Sequence, residues 1–309
     1  METSPTECKP EEGRLEFGSL ADVYVAIAES IKRITNYLRD ESLSIVGENK
    51  FGDSQLNIDV DCNNIVYEEL RNSGVVAYAL SEEKPFPEEV GPSDAKYIVT
   101  FDPLDGSSVI ATNFSVGSIF AVWPNKNKLM GLTGRDILGA MITVYGPRTD
   151  VIYYNDKDKR VDLMKLIKGD WVFYKNKLTI TPTTKLFAPG NLRAASVNKG
   201  YKEVIDYWLD KGYTLRYTGA MVPDIYQIFI KGQGIFANII AKGFPAKLRL
   251  LYEMFPFAFL IEAADGRSSD GVKSLLETPI TDYEMKGQVI LGSKEEVERI
   301  ETSLRKHSS

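Results

Sequence analysis

Between Tyr97 and Ser108 the chain passes directly from the composition of a buried strand into a set of polar groups that no ordinary loop needs. Tyr97-Ile98-Val99-Thr100-Phe101 is a β-branched and aromatic run, and it ends in Asp102-Pro103-Leu104-Asp105-Gly106-Ser107-Ser108. A strand ending this way delivers two carboxylates to one edge of a sheet, where the loops of α/β folds converge on a crevice. Hard divalent cations take oxygen ligands of this kind. Gly106 and the two serines set bare backbone N–H groups where phosphate oxygens can sit. The segment predicts the centre of a metal-dependent phosphatase.

A second strand, read over Val75–Leu80, delivers Ser81-Glu82-Glu83 in the same manner. Asp59 stands at the entry of a helix expected over residues 60–72, and Asp53 lies in the loop before it. Two carboxylates about 4 Å apart repel by around 4 kcal/mol at an effective dielectric near 20. Four or more in one pocket would therefore take up protons or require cations between them. Two or three Mg²⁺ ions would balance the charge and attract a phosphate ester. All-oxygen ligation with no histidine nearby selects Mg²⁺, with Mn²⁺ able to substitute, over Zn²⁺.

Composition removes the competing chemistries. The only histidine is His307, near the chain end, so histidine acid–base and phosphohistidine mechanisms are excluded. Cys8 and Cys62 are the only cysteines, and neither belongs to a CxxC or CxxxxxR arrangement. Disulfide scaffolds, zinc ribbons and cysteine-dependent phosphatases are thereby set aside. A net charge of −6 argues against nucleic-acid and anionic-membrane partners. No apolar stretch reaches the roughly 18–20 residues of a membrane span. The acidic, polar start, Met1 to Gly13, is neither a signal nor a transit peptide. A cytoplasmic location is the expectation, with a plastid left open if a targeting segment has been removed.

The 309 residues suffice for two domains. Leu20, Val23, Ile27, Ile31, Ile34 and Leu38 recur at helical spacing behind Ser19 as N-cap. Residues 114–177 read as short strands in a partly antiparallel meander. The Thr- and Pro-rich stretch from Thr181 to Asn191 marks a boundary, giving an N-terminal α+β domain over 1–185 and a C-terminal α/β domain over 186–309. In the second, strands are expected over 193–197, 235–240 and 288–291. Helices are expected over 199–211, 222–231, 248–264 with a kink at Pro256, and 294–305, the last opening with a Ser293/Glu296 capping box. The fold class is layered α/β.

Ser81-Glu82-Glu83 followed by Phe101-Asp102-Pro103-Leu104-Asp105-Gly106-Ser107-Ser108 closely resembles the fructose-bisphosphatase superfamily of Mg²⁺-dependent sugar phosphatases, and the resemblance runs from about residue 45 to 300. Lys247-Leu248-Arg249-Leu250-Leu251-Tyr252-Glu253 resembles the family's helix with a phosphate-binding lysine and a metal-binding glutamate. Asn198-Lys199-Gly200-Tyr201 and Arg216-Tyr217-Thr218-Gly219-Ala220-Met221 resemble its two segments gripping the distal phosphate. Residues 217–224, Gly234-Ile235-Phe236-Ala237-Asn238 and Ser268-Ser269-Asp270-Gly271 are similar to the versions in its sedoheptulose-1,7-bisphosphatase branch. Fructose-1,6-bisphosphatase, or an enzyme of dual specificity, is the alternative.

The resemblance implies a five-layer α-β-α-β-α fold with two mixed sheets and hydrolysis of a sugar 1-phosphate. The metal ligands are then Glu82, Asp102, Asp105, Glu253 and the Leu104 carbonyl. Asp59 and Glu83 orient or deprotonate the attacking water, with Asp53 assisting a third metal. Backbone groups at Gly106 and Ser107, and the Ser108 region, hold the reacting phosphate. Asn198, Tyr201, Tyr217 and Lys247 bind the distal phosphate, with Arg216 supplied across the interface of a homodimer or homotetramer. A substrate carrying about −4 must approach a −6 protein, so these basic groups have to be local and aimed.

Overall fold

The computed structural model describes residues 17–40, 45–48 and 54–307. Its architecture follows from how strand residues divide between cores. In the strand Val116–Pro124, Ile119, Ala121 and Trp123 join one apolar cluster while Phe120 and Val122 join another. Successive side chains leave a strand on opposite faces, so a strand apolar on both must be covered on both.

That strand, β6, lies in an eight-stranded mixed sheet with β3 (Val76–Ser81), β4 (Glu88–Glu89), β5 (Tyr97–Asp105), β7 (Gly139–Tyr145), β8 (Thr149–Asn155), β9 (Arg160–Ile167) and β10 (Asp170–Lys175). Its order is β10-β9-β8-β7-β6-β5-β3-β4, antiparallel except where β3 runs parallel to β5. Helices α1 (Ala21–Asp40) and α2 (Asn57–Ser73) cover one face through Val23, Ile27, Ile31, Val66 and Leu70. Between them, β1 (Ile45–Glu48) pairs with β2 (Ser54–Leu56). A one-turn helix, α3 (Ser107–Ile110), follows β5.

The second sheet has the order β12-β11-β13-β15-β14, from β11 (Leu186–Gly190), β12 (Thr214–Leu215), β13 (Ile235–Asn238), β14 (Arg267–Ser269) and β15 (Val289–Gly292). It too is mixed. Helices α5 (Met221–Lys231) and α6 (Phe255–Ala263) fill the space between the sheets, in one core with Ile119 and Ile142 on one side and Phe236 and Leu291 on the other. Helices α4 (Lys199–Asp210) and α7 (Lys294–Lys306) close the outer face through Val204, Trp208, Val297 and Ile300. The result is the expected α-β-α-β-α layering. No helix among the described residues is long and apolar enough to cross a membrane.

Several local expectations are corrected. Residues 193–197 are not a strand: Leu192–Ser196 is 3₁₀-helical, and the strand lies before it, β11 at Leu186–Gly190. The helix expected from residue 248 begins later. Arg249 is extended, Leu250–Met254 forms a π-helical turn, and α6 follows with Pro256 in its first turn. Pro256 sits where the π-helical turn passes into α6, behind Met254 and Phe255 that are already helical, so the irregularity expected at Pro256 takes the form of that turn. Ser19 does not cap α1 alone: Asp156 accepts hydrogen bonds from the N–H groups of Gly18 and Leu20 and from the Ser19 hydroxyl. The Ser293/Glu296 box does not form. Ser293 Oγ accepts from Gly234 N, and Glu296 turns inward to Trp208 Nε1 and Tyr213 OH, both at 2.8 Å.

Candidate active site

Side chains three apart on a regular strand face opposite ways. In β5, however, Asp102 pairs with Ile119 and Asp105 with Gly117, so three steps on one strand match two on the other. The extra residue is a β-bulge at Pro103-Leu104, a position that tolerates proline because no ladder N–H is needed there. Ser118 Oγ donates to the Pro103 carbonyl at 2.7 Å, and Leu104 turns into the α1–α2 core. Both aspartates are thereby directed toward the middle helical layer.

Asp102 meets Glu82, just beyond β3, and Glu253, in the π-helical turn. One oxygen from each of the three lies within 4.8 Å of the others. The turn is fixed to the sheet through Trp123 Nε1, which donates to Thr100 Oγ1 (3.0 Å), whose hydroxyl reaches the Leu251 carbonyl at 3.4 Å. Burial, then repulsion from Glu82, Asp105 and Glu253, pushes the Asp102 carboxyl well above its ordinary range. Burial and Glu82 do the same to Glu253, although the Arg249 N–H, donating to Glu253 Oε2 at 2.6 Å, opposes them. Three buried acids with unfavourable charge and convergent oxygens form a donor set suited to a hard divalent cation.

Arg249 enters the same cluster. Buried to all but 4%, it pairs with Glu82 through NH1 and with Glu284 through Nε at 2.9 Å. Arg249 is thus ion-paired on both sides, and it stands on extended chain and not on the helix expected over residues 248–264.

Asp105 has a different environment. Its two oxygens accept the N–H groups of Met221 (3.2 Å) and Val222 (2.6 Å), the first residues of α5. An anion at a helix N-terminus is favoured. Burial nevertheless dominates, and the carboxyl is raised to about 7. Gly106 follows with φ +92°, and a Cβ there would lie 2.5 Å from that of Ala220. Ser107 is half-buried and Ser108 exposed at the start of α3. Asp59 is buried in the first turn of α2, next to Cys62, whose thiol burial raises with help from Asp59, Asp61 and Asp102. The same helix is tied to the end of β3 by Ser81 Oγ and Asn63 Oδ1 at 2.6 Å. Glu83 is partly buried one residue beyond Glu82. Asp53 lies outside the described residues.

The residues expected at the distal phosphate fall into two groups. Arg216, Tyr217 and Lys247 are exposed. Tyr217 lies within electrostatic reach of Asp105 and of Tyr201. Asn198 caps α4 by accepting Tyr201 N at 2.9 Å. Tyr201 is fully buried and donates its hydroxyl to the Gly190 carbonyl at 2.9 Å, so it must turn that proton to meet an anion.

The chain is similar to known proteins along nearly its whole length. The family model described as "Fructose-1-6-bisphosphatase, N-terminal domain" covers residues 6–176, and its C-terminal counterpart covers 180–305. The chain belongs to the fructose-bisphosphatase family. Within this family it is 47% identical over 258 residues to the chloroplastic sedoheptulose-1,7-bisphosphatase of Spinacia oleracea, covering 83% of this chain and 66% of that protein. It is 42% identical to the same enzyme of Triticum aestivum (93% and 73% covered), and 35% identical to the class 1 fructose-1,6-bisphosphatase of Trichlorobacter lovleyi (91% and 89%). The chain spans about two thirds to three quarters of the plant proteins. A crystal structure from Toxoplasma gondii, provisionally named a sedoheptulose-1,7-bisphosphatase, superposes with TM-score 0.88 at 36% identity (93% and 94% covered). Leishmania major fructose-1,6-bisphosphatase gives 0.85 at 29% (95% and 96%).

Two features of this family member were not read from its sequence. The α5 N–H groups on Asp105 could have been suspected from Ala220-Met221-Val222-Pro223, a helix start with proline in its first turn. Glu284 carries no local signal: it sits 35 residues beyond Arg249 in an irregular loop.

Proposed function

We propose that the protein hydrolyses the 1-phosphate of sedoheptulose 1,7-bisphosphate, giving sedoheptulose 7-phosphate and phosphate, with Mg²⁺ as the metal at two to three ions per site. The observation carrying the chemistry is the convergence of Glu82, Asp102 and Glu253 oxygens within 4.8 Å at the ends of β3 and β5. The sugar assignment rests on 47% and 42% identity to two chloroplastic enzymes of that name.

Glu82, Asp102, Asp105, Glu253 and the Leu104 carbonyl hold the metal ions. Bound there, these ions supply Lewis acidity to the phosphoryl group and make water a better nucleophile near neutral pH. Glu83 and Asp59, with Asp53, hold or accept the proton of the attacking water. The backbone N–H groups of Gly106 and Ser107, beside Ser108, bind phosphoryl oxygens where charge concentrates. Arg216, Tyr217, Lys247 and Asn198 bind the distal phosphate, and Tyr201 adds its hydroxyl once turned from Gly190. Arg216 serves the neighbouring subunit's site, which makes the working form a homodimer or larger.

Fructose 1,6-bisphosphate is the second reading, favoured by the 35% identity and 89% coverage of a class 1 fructose-1,6-bisphosphatase. Steady-state kinetics on both bisphosphates with Mg²⁺ decides between them. The proposal expects the higher kcat/KM on the seven-carbon substrate and no phosphate release in EDTA. A clear preference for the six-carbon sugar overturns the specificity, and metal-independent release overturns the mechanism.

A further inference from the structure

The guanidinium of Arg249 is shared between a member of the acid cluster, Glu82, and a carboxylate outside it, Glu284. Glu284 is held in place independently of that contact. Leu250 N donates to the Met285 carbonyl at 2.8 Å, and Arg249 forms an antiparallel bridge with Lys286. On the other side, Tyr283 OH reaches the Lys128 carbonyl at 2.8 Å. Glu284 therefore stands on a backbone platform pinned to the segment that carries Arg249. Its Oε2 accepts Arg249 Nε, and its Oε1 is buried with no hydrogen-bond partner among the described residues.

We propose that Glu284 is a positioning residue for cation binding: it draws the Arg249 guanidinium off Glu82 when a divalent cation takes that carboxylate. This inference rests on the divalent-cation reading of the Glu82–Asp102–Glu253 cluster. Arg249 and a cation draw on the same carboxylate, Glu82, and they repel each other at close range. A guanidinium drawn off Glu82 gives up a buried ionic partner, which is costly. Glu284 removes that cost. With one oxygen already engaged and the other open, it offers the flat two-pronged seat that a guanidinium prefers. In the metal-free protein the same arginine partly offsets the mutual repulsion of the acids.

The test is direct binding of Mn²⁺ to the full-length, metal-stripped protein without substrate, read as free Mn²⁺ by electron paramagnetic resonance. Glu284→Gln is expected to raise the Kd about tenfold, the scale of losing an outer-shell partner. Glu284→Asp keeps the charge but withdraws the carboxylate from the guanidinium, and is expected to weaken binding as well. With Arg249→Met in the background, Glu284→Gln should change the Kd less than about twofold, since the group it positions is gone. Wild-type Kd values for both Glu284 variants would overturn the proposal. So would wild-type affinity in Glu284→Asp alone, because Glu284 would then act through charge rather than position. An undiminished Glu284→Gln effect without Arg249 would also overturn it. Failure of the wild-type protein to bind Mn²⁺ would instead strike the cation reading itself.

Discussion

Asp105 receives the backbone N–H of Val222 at 2.6 Å, so a candidate metal ligand also anchors the first turn of the helix between the two sheets. Replacing it by alanine would mix two effects, because losing an anchor of this kind costs about 0.5–2 kcal/mol of stability. Asp105→Asn keeps an acceptor for one of the two N–H groups, leaves the other facing an amide –NH2, and removes the charge. It should lower kcat by more than about 100-fold, beyond the loss of an outer-shell partner, while stability falls by no more than the loss of one such hydrogen bond, about 1–3 kcal/mol. Turnover within tenfold of wild type would remove Asp105 from the metal set.

Gly106→Ala tests the turn after the bulge. The residue has φ +92°, and its new methyl carbon would sit 2.5 Å from the Ala220 Cβ. The left-handed conformation alone costs roughly 1–2 kcal/mol for an L-residue, and the clash must push α3 away from α5. A shift near 1 Å at the reacting phosphate is worth up to about 100-fold in rate. Denaturant melts and kcat should both fall. An unchanged kcat would show that the Gly106–Ser107 backbone does not touch the reacting group.

Cation uptake should release protons. Burial and mutual repulsion raise Asp102 and Glu253 above their ordinary range, and Asp105 is raised to about 7. At neutral pH the metal-free cluster therefore retains protons that a cation must displace, and affinity for Mg²⁺ falls as pH drops. Each displaced proton weakens binding by up to about tenfold per pH unit below its pKa. Calorimetry at pH 7 in two buffers of different ionisation enthalpy should show net proton release. Identical heats in both buffers would contradict it.

Beside Asp105, whose carboxyl it helps to raise, Asp224 offers a second pH signature. Its carboxylate accepts the N–H groups of Thr218 (2.6 Å) and Gly219 (3.2 Å), yet burial still raises it from 3.8 to about 6. A raised carboxyl is more protonated in the folded than in the unfolded chain. Its contribution to stability is therefore full below pH 4 and lost as pH rises through 6, amounting to about 3 kcal/mol. Asp224→Asn lacks that loss. In EDTA, the stability of Asp224→Asn relative to wild type should rise by about this amount between pH 4 and 7. A flat difference would mean that the side chain is more solvated than its burial implies.

The strand ends carrying Glu82 and Asp102 were legible because β3 and β5 are interior strands, buried on both faces, and such strands read as continuous apolar runs. The carboxylates beyond them stand out against that background. β11 was hidden by Pro189 and Gly190, residues that usually speak against an interior strand, though it pairs on both sides. Arg249 sits in a sequence that favours a helix. Long-range partners, Lys286 through the backbone and Glu284 through the side chain, hold it extended instead. Glu296 lost its local capping role to Trp208 and Tyr213, more than eighty residues away in sequence. In each case a distant contact outweighed a local preference worth about a kilocalorie per mole or less.

The irregularity at Pro103-Leu104 also limits how this chain can change. Adding one residue to the facing strand between Gly117 and Ile119 would restore an unbroken ladder, with three steps on each side. Asp105 would then swing to the opposite side of the sheet, leaving the two acids back to back with the backbone between them. Transplanting two aspartates at this spacing onto a flat strand would fail for the same reason. The pair is portable only together with the extra residue that brings it into phase.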